Sequence, residues 1–198
     1  MKAKFFIAIV IALLSFSCSD DDNNSNSISL SQEEKDGLLF MLEEEKLARD
    51  TYIYMNNLWG LNQFNNIKNS EQSHIDAIVS ILEQNDIEYT ILPQGEFSYQ
   101  NLQDLYNQFV IDGQVSSESA LQIGATIEDL DIVDLEDYIN DSTNSVLIST
   151  YENLQCGSRN HLRSFVTAIE NLGFTYTPQF LTLEEYEAIL NSSREQCN

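Results

Sequence analysis

Two histidines and a few acidic residues interrupt apolar patterns of helical period, and together they have the chemistry of a metal site. The chain contains only two histidines, and each falls near the middle of an apolar stripe. Glu71 precedes His74 by three residues, so the two side chains share one face of a helix. The histidines and the acidic residues at similar depth in the stripes are His74, His161, Glu45, Glu71, Glu128 and Asp131.

Burial of these acidic side chains requires a positive partner. A carboxylate without a partner in an apolar interior costs on the order of several kcal/mol or takes up a proton. The four carboxylates carry four negative charges, which two divalent cations neutralise, and the two imidazoles add nitrogen ligands. This mixture suits iron or manganese. We therefore predict two bound iron ions, with manganese as the other candidate metal.

Two alternatives stay open at this point. A lone buried histidine usually belongs to a core hydrogen-bond network, and Glu-x-x-His is frequent on helices. The coincidence on four helices is therefore what favours metal. On the first helix, a stripe through Met41, Glu44 and Ala48 is nearly as apolar as the stripe through Glu45, and periodicity does not choose between the two glutamates.

Long helices must position these residues. Ser31-Gln32-Glu33-Glu34 has the pattern of a capping box. The predicted helices span residues 31–58, 65–86, 99–111 and 116–138, then from Asp141 or Ser142 to Leu172, and 182–194. Only residues 88–92 hint at β-alternation. A long connection between the second and third long helices lets the next helix start at the far end of the bundle. We therefore predict an all-α, ferritin-like four-helix bundle with a long crossover, plus short extra helices.

The N-terminal segment indicates export. Lys2 and Lys4 precede an apolar run too short to span a membrane well. The run leads into Leu-Ser-Phe-Ser-Cys, which resembles a lipoprotein signal. We predict a signal peptide over residues 1–17 and acylation of Cys18, with an ordinary secretory signal as the alternative. Residues 18–30 are predicted to be a disordered acidic tether, and 31–198 the helical domain. The expected location is the cell envelope, lipid-anchored to the outer membrane on its periplasmic or surface side.

Charge and cysteine content restrict the partners. A net charge of −23 repels nucleic acid, so none is expected as a partner. With Cys18 lipidated, two cysteines remain, Cys156 and Cys197. In an oxidising envelope they either pair, which ties the C-terminal tail to the last long helix, or stay as two thiols.

Several motifs together resemble a known family. EKLARDTY at 45–52 resembles the Glu-x-x-Ala-Arg-x-x-Tyr of the first helix of rubrerythrin-type proteins, and EQSH at 71–74 resembles their second-helix Glu-x-x-His. The runs EEEKLARD (43–50), NIKNSEQSH (66–74), IEDLDI (127–132) and GSRNHLRSF (157–165) resemble a ferritin-like family catalogued as domain of unknown function 2202. The resemblance covers nearly all of residues 35–173 and implies a ferritin-like bundle with a di-iron carboxylate site.

The resemblance also implies roles for particular residues. It favours Glu45 on the first helix, Glu71 and His74 on the second, Glu128 on the third and His161 on the fourth. The fourth helix departs from the rubrerythrin pattern, because Ser158, a poor metal ligand, stands where a glutamate is usual. We expect Asp131, one turn beyond Glu128, to replace that carboxylate, an inference separate from the match. Tyr52 lies on the stripe of Glu45, either as a hydrogen-bond donor or redox partner beside the site or as an ordinary core tyrosine.

The expected function is a di-iron oxidoreductase that reduces peroxide or dioxygen or oxidises ferrous iron, with Glu71 and Glu128 as bridging ligands. The alternatives are a non-catalytic iron or manganese carrier and a metal-free structural or interaction domain. The sequence contains no rubredoxin-like Cys-x-x-Cys segment, so an electron donor would be another molecule. The other expected partners are the membrane, through the lipid anchor, metal ions and a second copy of the chain in a homodimer.

Overall fold

The structure, a computed structural model, describes residues 30–197. Six helices make up this part of the chain: α1 (Gln32–Trp59), α2 (Asn62–Gln84), α3 (Gln100–Gly113), α4 (Ser117–Asp141), α5 (Ser145–Asn171) and α6 (Leu183–Asn191). The predicted signal peptide, Cys18 and nearly all of the predicted tether lie outside the described residues. None of the described helices is long and apolar enough to span a membrane.

The four long helices α1, α2, α4 and α5 form a bundle in which neighbours run antiparallel. The start of α1 lies against the end of α4, where Gly37 faces Tyr138, and the end of α1 lies against the start of α4. Gly60, at φ 63°, turns the chain sharply from α1 into α2. Since α2 and α4 are both antiparallel to α1, they run in the same direction, and residues 85–116 must return along the bundle. The predicted all-α bundle with a crossover is confirmed.

Several predicted boundaries are shifted. Helix α2 begins at Asn62, three residues before the predicted start, and α6 ends at Asn191 rather than at residue 194. Asn144, not Asp141 or Ser142, caps α5, because its side chain accepts hydrogen bonds from the backbone N–H groups of residues 146 and 147. Residues 88–92 form no strand. Leu30, assigned above to the tether, is buried in the core.

The core consists of two apolar clusters. One contains Tyr52, Phe64 and Phe165, toward the end of the bundle where α1 meets α2. The other contains Leu38 and Ile78, with further residues near the opposite end. On α1, α2 and α5 the acidic residues and histidines singled out above fall between the segments that enter the two clusters, and on α4 Glu128 and Asp131 lie between Ile127 and Ile132 of the first cluster. The polar layer is therefore enclosed by apolar side chains at both ends.

Buried charged side chains bind the crossover and the C-terminal segment to the bundle through hydrogen bonds. Lys46 forms an ion pair with Asp50 at 2.6 Å and donates hydrogen bonds to the carbonyls of Pro93 and Glu96. On α4, Asp129 accepts hydrogen bonds from the backbone N–H groups of residues 179–181. These carboxylates have partners of their own and are not part of the central polar layer.

Candidate metal centre

Side chains from all four long helices meet at mid-height in the bundle. They are Glu45 from α1, Glu71 and His74 from α2, Glu128 from α4 and His161 from α5. All five are buried, and the two histidines are the most accessible, each 9% exposed. Helical period brings each of them to the inner face, and the antiparallel packing places them at a common depth.

Glu71 lies at the centre of this group. One of its carboxylate oxygens, Oε2, is 2.9 Å from His74 Nδ1, and the other, Oε1, is 3.0 Å from His161 Nδ1. His74 Nδ1 is also 3.1 Å from Glu45 Oε2. His161 Nδ1 is 3.3 Å from Glu128 Oε2. The Glu71 carboxylate therefore spans the space between the two histidines.

These contacts define two ligand clusters that share one residue. The first cluster is Glu45, Glu71 and His74, and the second is Glu71, Glu128 and His161. Within each cluster one donor atom per residue lies within 4.8 Å of the others. Each cluster thus contains one imidazole nitrogen and one carboxylate that belongs to that cluster alone, and Glu71 belongs to both.

The two imidazoles have the same orientation relative to the carboxylates. Both direct Nδ1 toward the glutamates, and the rings stack with centroids 5.7 Å apart. His161 Nε2 is 3.0 Å from Ser70 Oγ, which fixes the ring from its outer side. His74 Nε2 faces Gly157, where an added Cβ would lie 2.7 Å away. Sequence reasoning missed Ser70 and Gly157, although Ser70 precedes Glu71 and Gly157 lies one turn before His161.

Tyr52 is a hydrogen-bond donor to one of the central glutamates. Its hydroxyl donates to Glu128 Oε1 at 2.6 Å, from a fully buried position between Phe64 and Phe165. The other oxygen, Glu128 Oε2, faces His161. Tyr52 therefore orients the carboxylate without entering either cluster.

Asp131 and Ser158 lie together beside the two clusters. The Ser158 hydroxyl donates a hydrogen bond to Asp131 Oδ2, across the gap between α4 and α5. Asp131 thus occupies the space opposite the residue that departs from the rubrerythrin pattern. It is not a member of either cluster, and its second oxygen is buried with no hydrogen-bond partner in the part of the chain that the structure describes.

The structure shows which of the two adjacent glutamates on α1, Glu44 or Glu45, faces the centre, a choice that periodicity could not make. Glu45 faces His74 and Glu71, whereas the carboxyl group of Glu44 lies against Asp134 of α4. Glu44 is nevertheless buried, at 4% exposure.

Without metal, charge is shared unevenly among the central groups. Burial raises the pKa of Glu45 to about 7, although His74 opposes the rise. Burial would also raise the pKa of Glu71, but the imidazoles of His161 and His74 outweigh burial and hold this pKa far below its ordinary value. Burial lowers the pKa of His161, but the carboxylates of Glu71 and Glu128 raise it more. The net result is a pKa of about 10. The two imidazoles thus favour the ionised form of Glu71, and Glu71 and Glu128 favour the protonated form of His161.

The residues present fit a pair of divalent cations. Glu45 Oε1 and Asp131 Oδ1 are buried with no hydrogen-bond partner within the described residues, and Glu71 Oε1 approaches His161 without hydrogen-bond geometry. Such unsatisfied oxygens are costly in a metal-free interior. Carboxylate oxygen together with imidazole nitrogen suits iron and manganese.

A groove connects the histidine side of the centre to solvent. It lies between α2, α5 and the C-terminal tail and has a volume of about 710 Å³. Its lining includes Ser70, His74, Asn160, His161, Arg163 and Arg194. Glu195 is the one acidic residue in the described lining, and Arg159 and Arg163 pair with it. The groove is thus far less acidic than the chain as a whole.

The tail that forms one wall of the groove is covalently attached. Cys156 of α5 and Cys197 form a disulfide, with 2.04 Å between the sulfurs. The Asn160 side chain also exchanges hydrogen bonds with the backbone of Glu195. The segment after α6 is therefore held along α5, next to Gly157.

Comparison with known proteins gives a family and a close relative. The profile of the uncharacterized protein domain DUF2202 matches residues 34–193. The chain is 49% identical over 168 residues to the uncharacterized protein MJ0754 of Methanocaldococcus jannaschii, covering 84% of this chain and 91% of the relative. The crystal structure of that hypothetical protein matches with a TM-score of 0.82, covering 84% of this chain and 96% of the other. These descriptions assign no activity.

Proposed function

The chain belongs to the DUF2202 family, and from the centre described above we propose that it is an envelope lipoprotein whose bundle binds two iron or manganese ions for redox chemistry. The reaction class is reduction of peroxide or dioxygen, or oxidation of ferrous iron. A non-catalytic metal carrier is the alternative.

The observation that carries this proposal is the position of Glu71 between two ligand clusters. Its two oxygens face different histidines, and each histidine has its own second glutamate. A single cation would use one cluster and leave the other unsatisfied. Two cations sharing Glu71 use both, and the four acids Glu45, Glu71, Glu128 and Asp131 balance their four positive charges.

The surroundings of the centre suit a reaction with a small molecule. Two bound ions would supply electrons and polarise an O–O bond. Each cluster provides only three side-chain ligands, fewer than these metals usually take, which leaves room for a substrate. The apolar clusters above and below exclude water, while the groove beside His74 and His161 gives access from one side. Tyr52 keeps Glu128 in place through its hydrogen bond.

The proposed location rests on the N-terminal sequence. The positive head, the short apolar run and Leu-Ser-Phe-Ser-Cys support acylation of Cys18 and an envelope location. The disulfide between Cys156 and Cys197 is compatible with an oxidising compartment. Mass spectrometry of the membrane fraction tests the anchor, because an acylated Cys18 would be the new N-terminus. An unmodified chain that begins at Met1 would contradict this part of the proposal.

Metal content tests the centre directly. We expect the purified full-length chain, supplied with ferrous iron in air, to hold two irons and to show the near-ultraviolet absorption of a diferric centre. Glu71→Gln should lose both ions because it removes the shared ligand, whereas the exposed Glu88→Gln serves as a control for one lost charge and should keep two. One loosely held iron would favour the carrier, and a wild-type chain without iron or manganese would refute both.

A metal-free structural domain is the competing interpretation, and one observation favours it. Each histidine already contacts two carboxylates, so the centre has internal charge pairing without any ion. In that case His161→Ala would reduce the free energy of unfolding equally with and without added iron. The proposed centre predicts that added iron stabilises the wild type and not this variant.

A further inference from the structure

Beside the centre, on the side of α1 that faces α4, a buried glutamate has no basic partner among the residues that the structure describes. Glu44 is 4% exposed, and neither of its oxygens has a hydrogen-bond donor among the described residues. Its carboxyl group lies against that of Asp134, so a hydrogen bond between the two would need a shared proton. The charged groups that act most on it are Asp134, Asp131 and Glu45, and all three are acidic.

The acidic residues around Glu44 extend from the surface of the bundle to the edge of the centre. Asp134 is half-buried on α4. Asp131, one turn earlier on the same helix, is buried, and its Oδ1 has no hydrogen-bond partner between residues 30 and 197. Basic side chains nearby are engaged elsewhere, since Lys46 and Arg49 both pair with Asp50. Glu44 has no hydrogen-bond donor on either oxygen among the described residues, and Asp131 has one, Ser158, on only one of its two oxygens. Such buried carboxylates next to a third require either protons or a cation.

The ligand chemistry differs from that of the central clusters. Here only carboxylate oxygens are available, which suits hard divalent cations such as Mn²⁺, Mg²⁺ or Ca²⁺. The ligand atoms of Glu44, Asp131 and Asp134 do not all lie within 4.8 Å of one another, a separation that only the central clusters meet within the described residues. Water would complete the coordination shell, and binding would be weaker than at the centre.

We propose that Glu44, Asp131 and Asp134 form a third divalent-cation site adjoining the centre. The site takes a hard cation through oxygen ligands alone, and Asp134 exposes it to solvent. It does not depend on redox activity at the centre, and its existence can be tested without turnover.

Counting bound Mn²⁺ by electron paramagnetic resonance on the metal-free full-length chain tests the proposal. We expect three ions in the wild type, two tight and one weaker. Glu44→Gln keeps the size of the side chain and removes its charge, so the weak site should lose at least tenfold in affinity while two ions remain. Asp134→Asn, at a half-buried position, should do the same. Asp137→Asn, an exposed acid on the same helix, is the matched control and should keep three.

The outcomes separate this inference from the proposed function. Two ions in the wild type, or a third ion unaffected by Glu44→Gln, would overturn the third site and leave the centre intact. In that case Glu44 is a neutral acid bonded to Asp134. A single ion that Glu44→Gln removes and His161→Ala does not would uphold the third site and contradict the two-metal centre.

Discussion

The metal-free protein should lose stability as the pH rises from 6 to 9. The pKa of His161 is about 10 in the folded chain, against roughly 6.5 in an unfolded one. A group whose pKa is raised by folding stabilises the folded state. This stabilisation is complete at a pH below the pKa of the group in the unfolded chain, and it is lost as the pH rises through the pKa of the group in the folded chain. The same direction holds for Glu45, whose pKa rises from 4.5 to about 7.

The size of the loss follows from these values. One pKa unit corresponds to about 1.4 kcal/mol, so His161 alone contributes roughly 5 kcal/mol below pH 6 and about 1.4 kcal/mol at pH 9. The expected loss over the window is therefore about 3 kcal/mol, and Glu45 adds to it. Most carboxylates titrate below this window, and tyrosines and lysines titrate above it.

Guanidinium denaturation at pH 6 and pH 9, with a chelator present, measures the effect. Glu71→Gln should reduce the loss, because Glu71 is the largest of the charges that raise the pKa of His161. Glu88→Gln, an exposed control, should not. Bound Mn²⁺ should reverse the trend, since ions displace protons from both Nδ1 atoms and bind better at higher pH. A metal-free protein whose stability rises between pH 6 and pH 9 would refute the charge distribution described here.

Three substitutions test individual contacts. Tyr52→Phe should lower the free energy of unfolding by about 2 kcal/mol in urea denaturation, because Glu128 loses a buried hydrogen-bond donor; an unchanged midpoint would contradict this role. Gly157→Ala should reduce iron content, since its Cβ would lie 2.7 Å from His74 Nε2. The higher helix propensity of alanine should at the same time stabilise the fold by about 1 kcal/mol. Full iron occupancy in this variant would contradict the expectation, because it would mean that the His74 ring moves aside without cost. Cys156→Ser opens a disulfide that spans 41 residues, which should cost about 4 kcal/mol in the chain-entropy model, with metal content unchanged under native conditions.

Helical period was sufficient to predict most of the fold. The long helices and the capping box at Ser31 are local features, and the crossover follows from the length of the connection between the second and third long helices. The boundary errors are also local, as at Asn144, where the side chain nearest to α5 provides the cap in place of two earlier candidates. The central residues on α2, α4 and α5 could be found because each interrupts an apolar stripe.

The sequence alone could not predict which neighbours the three glutamates of EEEKLARD contact. Successive residues on a helix point about 100° apart, so the three glutamates face three different neighbours. Glu43 accepts hydrogen bonds from the backbone N–H groups of Ser98 and Tyr99, Glu44 faces Asp134, and Glu45 faces His74. A choice between Glu44 and Glu45 needed the positions of α2 and α4. The same holds on α4, where Glu128 joins the centre and the adjacent Asp129 holds the C-terminal segment.

The sequence by itself determined which helices form and which faces carry acids and histidines, because helical geometry and side-chain burial depend on local spacing. Tertiary structure decided which of these groups meet. The sharing of Glu71 between two histidines, the disulfide that holds the tail and the isolation of Glu44 depend on the relative position of residues between 41 and 90 positions apart in the chain. Distances between such residues are set by packing of the whole bundle, which no single helix encodes.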